Sequence, residues 1–237
     1  MKGVIVIVTL FTIQKKFHEL FLQNGMPIHV KKGSYIFREG EPVDSIFYIA
    51  NGGIQIGKEN ENGKELTIRI CGTGAVFGEG SIFANDTLHS TTAKAIQPSK
   101  IYILNLETLE LLLTENPTLL IEYIQWVQIE NTKNQTRIRD LVMHGKKGAL
   151  YSTLIRLANT YGHLNTDGQT FIDIALTNSE VANLCGTSRE MINRMLNDLK
   201  RDHIISFERG YITIKNLQYL KDEIHCENCP LNICRID

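Results

Sequence analysis

The stretch TNSEVANLCGTSREMINRMLNDLK, residues 177–200, decides the fold of the second half of the chain. Thr177 and Glu180 have the spacing of a capping box, a side-chain acceptor followed three residues later by a carboxylate, and they open a short helix over Ser179–Leu184. Cys185-Gly186 closes that helix, with the glycine free to turn left-handed. Thr187 or Ser188 then caps a second helix running to about Lys200. Two short helices joined by a tight glycine turn form a helix-turn-helix. The second helix carries Arg189, Arg194, Lys200 and Arg201 against Glu190 and Asp198. Ile192, Met195, Leu196 and Leu199 make its apolar side. Ser188, Arg189, Glu190, Asn193 and Arg194 are left to face outward as the candidate DNA-reading set. Arginine pairs bidentately with guanine O6 and N7, and glutamate accepts from cytosine N4. Ile204–Phe207 and Tyr211–Ile214, turned by Glu208-Arg209-Gly210, read as a β-hairpin wing. With the wing and the capping box present, this reading is preferred to a helical hairpin with a solvated basic face.

Working upstream, a turn at Thr166–Gly168 and a short strand over Phe171–Ile174 precede the helix-turn-helix. A helix starting at Ala149 shows Leu150, Leu154, Leu157 and Ala158 on one face. His144-Gly-Lys-Lys-Gly148 reads as a hinge or short linker. From Leu106 to Met143 the period is helical, with a break or helix start at Pro117. Leu120, Ile124, Val127, Asn131, Asn134, Ile138 and Leu141 follow heptad spacing, which predicts a homodimer seam along the 118–142 helix, with amides fixing its register. Residues 28–105 alternate short apolar strands with glycine turns, as in an all-β jelly roll. The expected class is therefore α+β. Residues 1–105 form a β-roll with an N-terminal helix, 106–144 the dimerisation helix region, 145–220 a winged helix-turn-helix and 221–237 a cysteine tail.

The 237 residues are 43% hydrophobic and 22% charged with net charge −1, so any nucleic-acid surface is local. The apolar start, MKGVIVIVTLF, is too short to span a bilayer and lacks the features of an export signal; it reads as a buried strand or a misplaced start. A cytoplasmic protein with no membrane association is expected. No Ser/His/Asp set, phosphate loop or usefully spaced carboxylate pair is present, and Gly78-x-Gly80 lacks a third glycine, so enzymatic function is not expected.

The tail Cys226-Glu-Asn-Cys229-Pro-Leu-Asn-Ile-Cys234-Arg-Ile-Asp237 holds three of the five cysteines, beyond the last segment with ordinary core character. In a reducing compartment clustered thiols favour a metal site over disulfides. Closely spaced cysteines suit an iron–sulfur cluster, each reaching a different iron. Zinc with three thiolates and a carboxylate, or a metal-free redox tail, are the alternatives. Three thiolates leave one position open. Cys185, Cys71, His225, Asp237, Asp140 or a small molecule could fill it, although Cys185 and Cys71 both read as core packing.

On these residues the chain resembles the CRP/FNR family of bacterial transcription regulators along nearly its whole length. Gly33–Gly40 and Gly78-Glu79 resemble the family's cyclic-nucleotide-binding-like β-roll, and the long helix resembles its dimerisation helix. Arg189-Glu190-x-x-x-Arg194 matches the signature that reads a TGTGA half-site in the CRP branch; the enterobacterial FNR pattern has Ser where Asn193 stands here. Cyclic-AMP binders place an Arg-Ser pair about ten residues after Gly-Glu, where this chain has His89-Ser90. Since neutral histidine does not replace arginine at a phosphate, no cyclic nucleotide is expected. The tail resembles FNR-type regulators of bacilli, which hold a C-terminal [4Fe-4S] cluster. Within Arg139-Asp140-Leu141-x-x-His144-Gly-Lys-Lys-Gly148 the resemblance implies Asp140 as the fourth ligand beside Cys226, Cys229 and Cys234. It further implies an oxygen-sensing activator of anaerobic gene expression that binds palindromic double-stranded DNA as a homodimer and works with RNA polymerase. The expected mechanism is a staple: cluster loss frees the tail and relaxes the Gly145–Gly148 hinge.

Overall fold

The computed structural model describes residues 18–61, 63–78, 82–83 and 87–237. The apolar start of the chain and Glu79 lie outside the described residues. The chain divides into two compact units. One takes in residues up to Glu59 and Ile68–Ile129; the other contains Asn60–Thr67 and Glu130–Ile236.

The first unit is the expected β-roll, preceded by helical residues 18–24. One antiparallel sheet has the order β1 (Met26–Val30), β8 (Ser99–Asn105), β3 (Ser45–Asn51), β6 (Val76–Phe77). The second has the order β2 (Tyr35–Phe37), β7 (Thr92–Ala95), β4 (Gly53–Glu59), β5 (Glu65–Gly72). Alternation sends Phe37, Phe47, Ile49, Ile54, Ile56, Cys71, Phe77 and Ile101 into one apolar cluster. Cys71 is fully buried there, as a core residue. A second cluster, on Ile46, Tyr48, Tyr102 and Leu104, is covered by Leu109 and Leu113 of the helix Leu106–Glu115 and by Tyr123 of the next helix.

Pro117 opens that next helix, the long helix Pro117–Met143, where a missing N–H costs nothing. Asn116 Oδ1 accepts from Leu119 N at 3.2 Å and serves its first turn. The stripe this helix leaves exposed is Ile121, Ile124, Gln128, Asn131, Gln135, Ile138 and Val142. It repeats at heptad spacing but corrects the expected seam. Leu120 and Val127 pack against the helix's own β-roll cluster, so Ile121 and Gln128 take their places. Ile124, Asn131 and Ile138 keep theirs. Asn134 is exposed beside the stripe, and Leu141 is half-buried.

A second correction concerns the expected hinge. Gly145–Tyr161 is one continuous helix, separated from the long helix only at His144. Gly145 takes φ +61°, which makes the corner. Gly148 is a close-packing glycine: a Cβ there would lie 2.0 Å from His144 Cβ.

The second unit adds a four-stranded antiparallel sheet, ordered β11 (Ile205–Glu208), β12 (Tyr211–Ile214), β10 (Thr170–Ile172), β9 (Gly162–Leu164). The wing is therefore part of a larger sheet. The chain closes with the helix Leu217–Glu223 and the cysteine tail. Among the described residues no helix is long and apolar enough to cross a membrane.

Candidate DNA interface and cysteine site

Thr177 caps the first short helix, Asn178–Leu184, with both arms of the capping box formed: Thr177 Oγ1 accepts from Glu180 N at 3.2 Å, and Glu180 Oε2 accepts from Thr177 N at 2.7 Å. Gly186 takes φ +61° in the turn. Ser188 then accepts from Met191 N at 3.3 Å and caps the helix Arg189–Arg201. Ile192, Leu196 and Leu199 are buried; Ser188, Arg189, Glu190, Asn193 and Arg194 are all exposed, in the arrangement the sequence predicts. Asn193 Oδ1 accepts from Asn178 Nδ2 at 3.0 Å, which ties the two helices together at the outward surface. The Glu190 carboxyl is held below its usual range by its own backbone N–H and by Ser188. It stays ionised as an acceptor. Cys185 belongs to the core, donating to Thr153 Oγ1 at 3.5 Å, with its thiol pushed up by burial to about 11.

The second site lies in the same unit. A cavity of about 200 Å³ is lined by Cys226, Cys229 and Cys234 from the tail and by Arg139 and Asp140 from the end of the long helix, together with Ser152 and Arg156. The structure thus brings the three tail thiols and Asp140 to one place. Cys71 and Cys185 do not line it. His225 does, but in a left-handed conformation at φ +47°, between the last helix and Cys226. Among the described residues, no three His, Cys, Asp or Glu side chains gather closely enough to share a single ion. The donors border a cavity and do not converge on a point.

The side chain that organises this site is one the sequence reading missed. Arg156 is 1% exposed. Its Nη2 donates to Asp140 Oδ2 at 2.7 Å and to Thr136 Oγ1 at 3.2 Å. Its Nη1 donates to the carbonyls of Ile233 and Arg235, both at 3.3 Å. Its Nε reaches Asp140 Oδ2 and Ser152 Oγ, also at 3.3 Å. The usable signal was a charge at 156, inside the apolar run Leu150–Ala158 and one helical turn after Ser152. Asp140 is equally enclosed. Ser152 Oγ donates to its Oδ2 at 2.6 Å, while Arg139 Nη2 and Nε donate to its Oδ1 at 2.8 and 3.1 Å. Burial pushes the Asp140 carboxyl up, but hydrogen bonds from Ser152, Arg156 and Arg139 outweigh it, so the group lies below its usual range. Arg139 also pairs with Glu227, and it lines the cavity together with Cys229. Burial raises the Cys234 thiol, against the pull of Arg156.

The tail itself corrects an expectation. Ile236 is 1% and Ile233 9% exposed, so the chain beyond Pro230 joins the core after all. Asn159 Nδ2 donates to the Cys234 carbonyl at 2.8 Å, and Ile236 N donates to Thr160 Oγ1 at 3.0 Å.

The cyclic nucleotide-binding domain family matches residues 27–116, and the Crp-like helix-turn-helix domain family matches residues 149–223. The anaerobic regulatory protein of Bacillus subtilis (strain 168) is 42% identical over 226 residues, which covers 95% of this chain and 94% of that protein. Among solved structures, FixK2 from Bradyrhizobium japonicum superposes with TM-score 0.73 at 17% identity, covering 84% of this chain and 96% of that one. A CRP/FNR-family transcriptional regulator of Thermus thermophilus superposes with TM-score 0.68 at 24% identity, covering 84% and 98%. With a capped recognition helix exposed, a β-roll in front of it and these matches over both halves, the chain belongs to the CRP/FNR family of DNA-binding transcription regulators and is not an enzyme.

Proposed function

We propose that this regulator responds to oxygen through an iron–sulfur cluster held by Cys226, Cys229, Cys234 and Asp140, and that with the cluster intact a homodimer binds a TGTGA-like palindrome to control anaerobic genes. The observation that carries this reading is the cavity that joins three tail thiols to a carboxylate at the end of the long helix. The similarity to an anaerobic regulatory protein supports the physiological setting.

The residues fit the group on one condition. Thiols spread around a cavity suit a [4Fe-4S] cluster, whose irons are separate, better than a single zinc ion. Asp140, however, has both carboxylate oxygens engaged. For it to serve as fourth ligand, Arg139 must release Oδ1, while Ser152 and Arg156 keep Oδ2 and hold the carboxylate in place. When bound, the cluster supplies the sensitivity to oxygen. The protein's part is to join the tail to the long helix through Asp140 and Arg156. A carboxylate is a harder donor than thiolate, which makes this corner the exchangeable one. The cytoplasm is the compartment that keeps such thiols reduced.

The exposed stripe from Ile121 to Val142 supports dimerisation along the long helix. Two copies related by a twofold axis would present their Arg189–Arg194 faces to half-sites about 34 Å apart. The proposal includes activation through RNA polymerase, a reading that the family membership supports. A cyclic nucleotide is not the expected effector. His89 stacks on Phe37 with ring centroids 3.6 Å apart and 5° between planes, and burial lowers its pKa. A neutral ring packed that way offers no cation to a phosphate.

Reconstitution with iron and sulfide without oxygen should give a visible absorption band, together with operator binding that air abolishes. Equal operator affinity with and without the cluster refutes the reading. Zinc in place of iron, in protein purified without oxygen, would assign the tail a structural role.

A further inference from the structure

The tail is not uniform. After the helix Leu217–Glu223 the chain turns through two left-handed residues, His225 at φ +47° and Asn228 at φ +51°, which flank Cys226 and lead to Cys229. Non-glycine residues held this way do not persist without surrounding contacts. Here the contacts are few: His225 N donates to Asp222 O at 3.1 Å and Cys226 N to Lys221 O at 2.9 Å, both at the end of the preceding helix, and Arg139 pairs with Glu227. Beyond Pro230 the chain changes character. Ile233 and Cys234 close a turn onto the Pro230 carbonyl at 2.9 and 3.0 Å. Ile233 and Ile236 are buried. Carbonyls 233 and 235 are held by Arg156, and carbonyl 234 by Asn159. The amide of Ile236 is held by Thr160, and Arg235 Nη1 returns to the Asn159 carbonyl at 3.2 Å. All of these partners stand on the last turns of the helix Gly145–Tyr161.

We infer that Arg156 is a positioning residue that sets Cys234 and Asp140 as one preformed half of the site, so that Cys234 stays docked when the cluster is lost and only the Cys226–Cys229 turn is released. One guanidinium grips the carbonyls on either side of Cys234 and the Asp140 carboxylate together, which fixes the spacing between two ligands from distant parts of the chain. Asn159 and Thr160 complete the dock, and none of these contacts involves a thiol. The released part of the sensor is then the stretch around Cys226 and Cys229, whose link to the long helix runs through Arg139. This inference rests on the cluster reading for what Cys234 does, but the docking itself is a property of the polypeptide.

The test uses the full chain, reduced and freed of metal by chelation. Hydrogen exchange should show residues 233–237 protected and 227–229, whose amides follow the last bond of the preceding helix, exchanging freely. Timed iodoacetamide labelling, read by mass spectrometry, should modify Cys234 at least about tenfold more slowly than Cys226 or Cys229. Asn159→Ala removes one contact at a half-buried position and should raise both amide exchange at 233–237 and the Cys234 labelling rate. Arg156→Lys keeps a charge but cannot span both carbonyls and Asp140, and should raise them further. Arg156→Lys should also lower cluster yield on anaerobic reconstitution. Equal labelling of the three cysteines, or unprotected 233–237 amides, in the wild-type chain overturns the inference. Failure of the wild-type chain to assemble any cluster overturns the cluster reading and leaves the docking result to stand on its own.

Discussion

Replacing Asp140 with alanine should destabilise the second unit even in metal-free protein. Arg156 and Asp140 have side-chain exposures of 2% and 8%. Their pair is therefore buried, and removal of the carboxylate leaves the charge of Arg156 uncompensated in the interior and the hydroxyl proton of Ser152 without its acceptor. Breaking a buried pair on one side costs about 3–5 kcal/mol. The Arg139 pair, with Arg139 at 30% exposure, adds little because solvent screens it. With a urea m-value of about 2 kcal/mol/M, a loss of about 4 kcal/mol lowers the midpoint by about 2 M. The reporter should belong to this unit. Trp126 is the chain's single tryptophan and lies in the first unit. Cys185 is buried in the core of the second, so its labelling by a thiol dye in rising urea follows the correct transition. The pH dependence has a definite sign. The folded pKa of Asp140 is lowered, so its contribution is complete above the ordinary aspartate value of about 3.9 and is lost as pH falls through the folded value. The gap between wild type and Asp140→Ala should therefore be constant near neutrality and close in acid. A neutral-pH loss under about 1 kcal/mol would refute the buried-pair argument and show that Arg156 is satisfied without Asp140.

Arg194→Ala should cost about 1–3 kcal/mol per half-site and relax base preference at one position, measured by anisotropy titration against an operator and single-base variants at fixed salt. Ile121→Asp and Val142→Asp should shift the chain toward monomer in sedimentation, because both lie on the exposed stripe of the long helix. Leu120→Ala should instead lower the stability of the β-roll cluster it packs against, by about 2–5 kcal/mol in the limit of full burial. Gly148→Ala should cost about 1–3 kcal/mol in chemical denaturation, because its new methyl meets His144 Cβ at 2.0 Å.

What could be read from the sequence divides by the range of the interaction responsible. Thr177–Lys200 was legible because capping, turning and amphipathic spacing are all set within a few residues, and the structure reproduces each of them. The seam was placed one position off at Leu120 and Val127. Apolar side chains at heptad spacing do not reveal whether their partner is another copy or the same chain's β-roll. Gly145 and Gly148 suggested a linker through composition, while their roles are a left-handed corner and a close approach to His144. Asp140 was one of several candidates from the residues alone and was singled out by the resemblance; it proves to line the cysteine cavity. Its partners Ser152 and Arg156 were passed over, because ordinary helix spacing explained the apolar residues around them and the one signal, a charge inside that run, names no partner. The tail's isoleucines were passed over for the same reason: three cysteines drew the reading toward a ligand, and Ile233 and Ile236 already gave the segment something to bury.

That last point changes how a signal could leave the site. A tail held only by the cluster would be released whole, and the flexible segment expected at 145–148 would absorb the motion. Neither condition is met: Gly145–Tyr161 is helical, and residues 233–236 dock on its last turns. On the proposed cluster reading, the signal would instead pass through the contacts at the end of the long helix. Arg139 is the side chain placed to carry it, because it binds Asp140 and Glu227 together and lines the cavity with Cys229. On that reading, Arg139 would keep only its tail partner Glu227 while Asp140 held iron, and would bind Asp140 as it does here once the carboxylate was free. Arg139→Gln should therefore leave the docked end of the tail and the Arg156–Asp140 pair in place and lower the difference in operator affinity between cluster-loaded and cluster-free protein. An unchanged difference in the variant, by anisotropy at equal salt, would remove Arg139 from the path and return the signal to the Arg156 contacts.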